Sequence, residues 1–374
     1  MNRTHYDITV HHQADTIEKL KEEWTRLVEE CPTATLYQTW EWNEAWWRIF
    51  HKGKSLYLIA VRSEGELVAL APFYISRHLG TPLRRLAFLG TGISDFLDLI
   101  IRRGEEAESV RVITDHLFHS KRFDLADLQQ LRPCSSLLEE GTQFSPPNAA
   151  VRIRQEPCPY LLLPPTWENY TKTLGKKMRS NISYYERLLP RTYENCEFHM
   201  VEANELDEGL AELFNLHQRR WKARMLPGVL GGGAIQSFHR LVAKRCHDAG
   251  WLRLHRLRVD GETVAALYCF HYGLKYYYYL GGFEPRLAKY SLGTILTAHA
   301  IRNAISEGCE EFDFLRGDEP YKYRWSPLER FNHRVLISRP QSFRSGLMLR
   351  LNRLERYVEH KAKTFAEHRG RRKP

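Results

Sequence analysis

No two of the seven cysteines form a CxxC pair. Residues 31, 134, 158, 196, 246, 269 and 309 are scattered and odd in number. Reduced, mostly buried thiols in a cytoplasmic protein are therefore expected, not a disulfide framework. No window approaches ~18 apolar residues, which argues against a membrane-spanning helix. The opening MNRTHYDITVHHQAD lacks the apolar core of a secretory signal. GxGxxG is absent, and with it the dinucleotide fingerprint. GxxxxGK[ST] is absent, which excludes a nucleoside-triphosphate loop. There is no GxSxG and no cysteine in a motif, so no covalent nucleophile is indicated. His116 and His119 have no carboxylate at ligand spacing, and no metal site is expected.

What is present describes a soluble globular chain. It is 43% hydrophobic and 27% charged, and 374 residues exceed one ordinary core, so two domains are expected. The net charge of +10 is uneven. Residues 341–374 hold ten Lys and Arg against three Glu, which leaves only +3 on the rest. The basic balance thus belongs to one appendage and gives no sign of a DNA-binding body.

The stretch from Tyr276 to Trp325 is the most informative. Tyr276–Leu280 reads as an aromatic strand ending at Gly281-Gly282. A short loop carries Arg286 and Lys289. Ser291-Leu292-Gly293-Thr294 opens a helix that closes near Gly308, and a second strand follows at Glu311–Leu315. Strand, turn, helix, strand is a βαβ unit with parallel strands. A helix start offers unpaired amides and a partial positive charge, which suits a pyrophosphate. Arg286 and Lys289 would add full charges. Many such turns contain glycine and bind nothing, so the bland reading stands beside the functional one.

These residues resemble the acyl-CoA N-acyltransferases of the GNAT superfamily, and most closely the two-domain CelD/BcsL-type branch related to the Fem-type peptidyltransferases. Ser291-Leu292-Gly293 is similar to that branch's pyrophosphate turn. Asp313-Phe314-Leu315-Arg316-Gly317-Asp318-Glu319 with Tyr321-Lys322 resembles its DF-x-RG-(D/E)-x-x-YK run, and Leu216-His217-Gln218-Arg219-Arg220-Trp221 its LH-x-x-RW helix. The full Q/R-x-x-G-x-G/A pattern is not met, because Thr294 and Ile295 stand where a second small residue belongs. The resemblance implies a tandem duplicated GNAT fold, an α/β (α+β mixed-sheet) architecture, with acetyl-CoA or another acyl-CoA as cofactor.

Organisation along the chain agrees with a duplication. Gly65-Glu66-Leu67-Val68-Ala69 matches Gly261-Glu262-Thr263-Val264-Ala265 at an offset of 196. The expected domains are residues 1–155, degenerate; 156–340, binding the cofactor; and 341–374, a basic helix and tail. Strands are expected at Leu56–Val61, Glu66–Ser76, Leu83–Leu89, Ser94–Ile101 and near Phe123–Leu128. One helix is expected over Asp15–Val28 and another over Thr166–Leu189, whose Lys176, Lys177 and Arg179 form either a solvated face or a phosphate-attracting wall. Gly231–Gly233 reads as a loop, and His333–Ser338 as completing the second sheet. Two of the four tyrosines 276–279 should be core and two should face outward. In Phe343–His368, Leu347, Leu351, Leu354, Val358 and Phe365 make an apolar stripe beside a basic face. It packs on the body or a partner, and a peripheral membrane contact stays open.

Acyl transfer needs a neutral amine, a donor for the oxyanion and a proton for the leaving thiolate. The expected roles are Asp318 as amine contact or base, Tyr321 as donor to the thiolate, and Lys322 as stabiliser of the oxyanion or a phosphate. Arg286, Lys289, Ser291, Leu292, Gly293 and Thr294 would bind the cofactor, and His217, Trp221 and Glu319 the acceptor. The alternative is that Asp318–Arg324 is a salt-bridged loop and Tyr321 only packs. The reading is a cytoplasmic N-acyltransferase, taken first as an acetyltransferase. Its acceptor is a small-molecule, glycan or peptide amine, and the branch suggests polysaccharide or envelope biosynthesis. Rivals are a Fem-type transferase using aminoacyl-tRNA and a non-catalytic binding module.

Overall fold

The computed structural model describes residues 5–78, 81–139, 150–222, 228, 230–338 and 342–352. The chain divides into two compact units, residues 1–155 with 331–374, and residues 156–330.

Unit 1 begins with β1 (Tyr6–His11), α1 (Asp15–Lys19), α2 (Lys21–Glu30) and α3 (Trp40–Phe50). The single helix expected over 15–28 is thus two, broken at Leu20. The long hairpin β2 (Lys54–Ser63) and β3 (Glu66–Arg77) follows, then β4 (Arg84–Phe88), β5 (Ile100–Ile101), α4 (Glu106–His119) and β6 (Leu125–Leu131). Unit 2 contains most of β7 (Ala150–Leu162), then α5 (Trp167–Thr173), α6 (Lys176–Thr192), β8 (Cys196–Met200), α7 (Leu206–Lys222), α8 (Gly233–Asp248), β9 (Leu252–Val259), β10 (Glu262–Tyr272), β11 (Lys275–Phe283), α9 (Leu292–Ser306), β12 (Glu311–Asp313) and α10 (Pro320–Tyr323). β13 (Leu328–Ser338) returns the chain to unit 1.

The two sheets repeat one pattern. In unit 1 the order is β1-β2-β3-β4-β6-β13, with one parallel step, β4 to β6. In unit 2 it is β8-β9-β10-β11-β12-β7, again with one parallel step, β11 to β12. Each parallel step is bridged by a helix, α4 or α9, and the other neighbouring pairs are antiparallel. The duplication and the mixed α/β class therefore stand. Each sheet buries its own apolar cluster, around Phe73, Phe88, Ile113 and Leu128 in one unit and Tyr276, Leu296, Ile301 and Phe312 in the other.

Four expectations need correction. Residues 333–338 do not complete the second sheet; β13 pairs with β6, His333 opposite Leu131 and Ser338 opposite Leu125. Val335 and Ile337 enter the unit 1 core, and Arg334 clasps buried Asp127 at 2.6 and 2.7 Å. Ser94–Ile101 is a strand only at Ile100–Ile101. Asp95, Asp98 and Ser94 turn inward into a polar network there, so the backbone leaves the sheet. The helix expected over 166–189 is broken at Leu174-Gly175, although Thr166 does cap its start, accepting from the Asn169 amide. Of tyrosines 276–279, three are buried because helices cover both faces of β11.

Residues 343–352 form a helix, and the stripe positions Leu354, Val358 and Phe365 lie outside the described residues. Met348, not Leu347, is the large apolar side chain it buries, against Leu83, Leu125 and Leu336 of unit 1. All seven cysteines are unbridged, and five are buried. Among the described residues no helix is long and apolar enough to cross a membrane.

Candidate active site

β11 and β12 pair over three residues only, Lys275 to Tyr277 against Glu311 to Asp313. β11 runs on to Phe283 while the chain after β12 turns away, so the parallel strands splay. α7 packs tightly on the far side of β11: a Cβ at Gly282 would lie 2.5 Å from the amide of His217. Only glycine allows this approach.

The splay opens into a pocket of about 420 Å³. Ser291, Leu292, Gly293 and Thr294 from the start of α9 line it, together with Glu319 and Tyr321 from the segment after β12. Ser291 sits in the left-handed region (φ 49°) and its side chain makes no cap. The amides of Thr294 and Ile295 donate to the Ser291 carbonyl, at 2.8 and 3.2 Å. Those of Leu292 and Gly293 precede the first helical hydrogen bond and have no acceptor within α9. A Cβ at Gly293 would stand 3.3 Å from the Phe283 ring, so glycine keeps this wall open.

Not every expected residue arrives there. Lys322 is 3% exposed. Its ammonium donates to the carbonyls of Leu315, Arg316 and Gly317 at 3.2, 2.8 and 3.4 Å and pairs with Glu319 Oε2 at 2.9 Å. Three N–H bonds are thereby committed, so Lys322 braces the turn in which Leu315 is held at φ 59° and is not available to an oxyanion or phosphate. Asp318 is exposed and does not line the pocket. Arg286 is paired with Glu284 at 3.0 Å and Lys289 lies over the Tyr290 ring at 4.8 Å; neither lines it. His217 is buried and accepts from Trp221 Nε1 at 2.8 Å through Nε2, which leaves the proton on Nδ1. Burial pushes its pKa down to about 4. His217 and Trp221 contact each other and Gly228, not the pocket.

Other residues take their places. Arg220, from the same helix motif, lines the pocket, lies 4.4 Å from the Phe283 ring and donates to the Gly281 carbonyl at 3.3 Å. Arg324, Tyr278, Thr297 and Met178 also line it. Within the LH-x-x-RW helix, the arginine and not the histidine reaches the pocket. The rings of Tyr278 and Tyr321 pack with centroids 6.1 Å apart. Burial raises Tyr278 to about 12 and Tyr321 well above the usual phenol value. Proton transfer from such a phenol to a thiolate runs uphill, so Tyr321 is suited to donating a hydrogen bond and not the proton itself. Among the described residues, no group of three His, Cys, Asp or Glu could hold a metal.

Comparison with known proteins bears on the fold. Residues 176–323 match the model of the family described as acetyltransferase (GNAT) domain. No curated protein sequence matches the chain. Among solved structures it is similar to FemX, at 11% identity, TM-score 0.59, covering 87% of this chain and 96% of that one. It is also similar to L-PGS from Bacillus licheniformis, at 14% identity and TM-score 0.54, covering 88% and 95%. A third likeness is the C-terminal domain of a putative lysylphosphatidylglycerol synthetase from Agrobacterium fabrum, at 12% identity and TM-score 0.51, covering 89% and 95%. At these identities the likeness is one of fold. The chain thus has a GNAT-type fold built from two units, and the acetyltransferase (GNAT) domain match falls in the second.

Proposed function

We propose that the protein is an N-acyltransferase that takes an acyl group from acyl-CoA, acetyl-CoA first among them, and delivers it to an amine. The observation that carries this is the pocket itself, which joins the uncapped start of α9 to the Glu319–Tyr321 corner. The amides of Leu292 and Gly293 would receive the diphosphate, with Arg220 and Arg324 adding charge. The thioester carbonyl would lie in the splay. The amine nitrogen attacks its carbon, the tetrahedral oxyanion collapses and the C–S bond breaks. Glu319, with Oε2 held by Lys322, takes the amine's proton at Oε1, and the departing thiolate is reprotonated from water. Tyr321 donates a hydrogen bond where charge develops. An acceptor of the polysaccharide or envelope class remains part of the CelD/BcsL-type reading, and the cytoplasm its compartment.

Titration calorimetry with acetyl-CoA, CoA and a longer acyl-CoA tests this. Micromolar binding of at least one thioester is expected, and no binding of any would sink the reading. One observation favours a second donor. Lys176, Lys177 and Arg179 are exposed on α6 beside Met178, which lines the pocket. An aminoacyl-tRNA donor would use them, and its binding would weaken steeply with salt.

A further inference from the structure

The helix over 343–352 is anchored to unit 1 by one face and presents another. Ser345, Met348 and Asn352 are fully buried, and these positions recur at helical spacing. Arg344 fixes the start of the helix, reaching Asp124 at 2.9 Å and the Pro82 carbonyl at 2.7 Å. On the outward side Phe343 is 85% exposed and Leu347 38% exposed, one turn apart. Phe343 is the most exposed large apolar side chain among the described residues.

Cations gather around this anchor. Arg84 donates its amide to the same Asp124 at 2.8 Å and its guanidinium to the Lys121 carbonyl at 2.8 Å. Arg77 is its partner across the β3–β4 ladder. Arg77, Lys121, Arg122 and Arg350 are exposed. Among the described residues, Asp124 is engaged by Arg344, and Asp127 by Arg334 and Arg85. In sequence, residues 353–374 add eight Lys and Arg against three Glu.

We propose that this face docks on the surface of an anionic lipid bilayer. Two apolar side chains on one helical turn, within a field of lysine and arginine, match what interfacial binding requires. The apolar groups enter the headgroup boundary and the cations stay with the lipid phosphates. A nucleic acid would use the cations but gives Phe343 no reason to stand in water.

Co-sedimentation of the full chain with vesicles tests the proposal. Binding is expected to phosphatidylglycerol mixed with phosphatidylcholine, much weaker binding to phosphatidylcholine alone, and loss of binding as salt rises to ~0.5 M. The F343E/L347E double variant should bind at least about tenfold more weakly with an unchanged melting temperature, since both side chains are exposed. K121E/R122E should weaken binding and flatten its salt dependence. The proposal is overturned if the chain does not pellet with anionic vesicles, or if F343E/L347E pellets equally well. It is also overturned if tRNA binds this face and vesicles fail to displace it.

Discussion

The two units splay their sheets at the same step and then treat the gap in opposite ways. In unit 1, β4 and β6 pair over two residues before parting. The gap is filled by the chain itself. Ser94 packs on Gly90, Leu97 donates to the Gln130 carbonyl at 3.0 Å, and Trp42 donates to Ser94 Oγ at 2.8 Å. Asn332 donates to the Asp95 carbonyl and Gln130 Oε1, each at 2.7 Å. In unit 2 no such loop fills the corresponding gap among the described residues, and it forms a pocket of about 420 Å³. One architecture thus yields a plugged copy and an open copy, and the plug is built from side chains a strand has no use for.

The sharpest way to separate the copies is acid. In unit 2, burial lowers His217 to about 4, His239 to about 3 and His255 to about 3. The unfolded chain binds these protons near pH 6.5 and the folded chain does not, so stability falls as pH drops from about 6.5 toward 4. In unit 1, burial raises Asp98 to about 6. The folded chain there binds a proton that the unfolded chain takes only near pH 4, so this group gains stability as pH falls through 6. Several kcal/mol of difference is expected by pH 4. Pulsed hydrogen exchange after a jump to pH 4.5, read peptide by peptide, should show residues 206–306 opening before residues 54–131. Simultaneous opening would contradict the assignment. Asp98→Asn should keep the Ser135 contact and remove the unit 1 gain.

Next in size are two substitutions at the gaps. Gly293→Trp fills the open copy and should weaken acyl-CoA binding at least about a hundredfold, ~3 kcal/mol, in calorimetry. An unaffected Kd would remove the proposed donor site. Gly90→Ala acts on the plugged copy, where φ is 85° and a Cβ would lie 2.4 Å from Ser94 Oγ. It should cost about 2 kcal/mol of stability in urea melts and leave donor binding alone. A change in Kd would show that the plugged gap also binds donor.

Sequence made one half of this comparison readable. The aromatic strand, glycine break, helix start and second strand lie within fifty residues, so local periodicity revealed the βαβ unit and both walls of the pocket. The other half depends on long-range partners. Nothing local in His333–Ser338 says that it pairs with Leu125–Leu131, because strand choice is decided by Arg334 meeting Asp127 and by the core that Val335 and Ile337 enter. The plug of the first copy likewise depends on Asn332, over two hundred residues from the Asp95 carbonyl it reaches. Lys322 misled for a different reason. A lysine beside an anion site invites a charge role, whereas the φ of 59° at Leu315 turns successive carbonyls toward its ammonium.

The smallest expected effect bears on chemistry within the open copy. Tyr321 packs against Tyr278 in the splay, ring centroids 6.1 Å apart, and burial keeps both phenols protonated across the neutral range. If Tyr321 hydrogen-bonds to charge that exists only in the transition state, Tyr321→Phe removes that bond and little else. The ring still packs on Tyr278, so donor affinity should hold. kcat should fall about tenfold, 1–2 kcal/mol, with KM for the donor unchanged. Because the phenol gives no proton, the pH–rate profile should keep its shape and only move down. A lost alkaline limb would mean that Tyr321 does transfer its proton. A rise in KM with kcat intact would make it a packing residue, and would leave Glu319 as the chemical member of that corner.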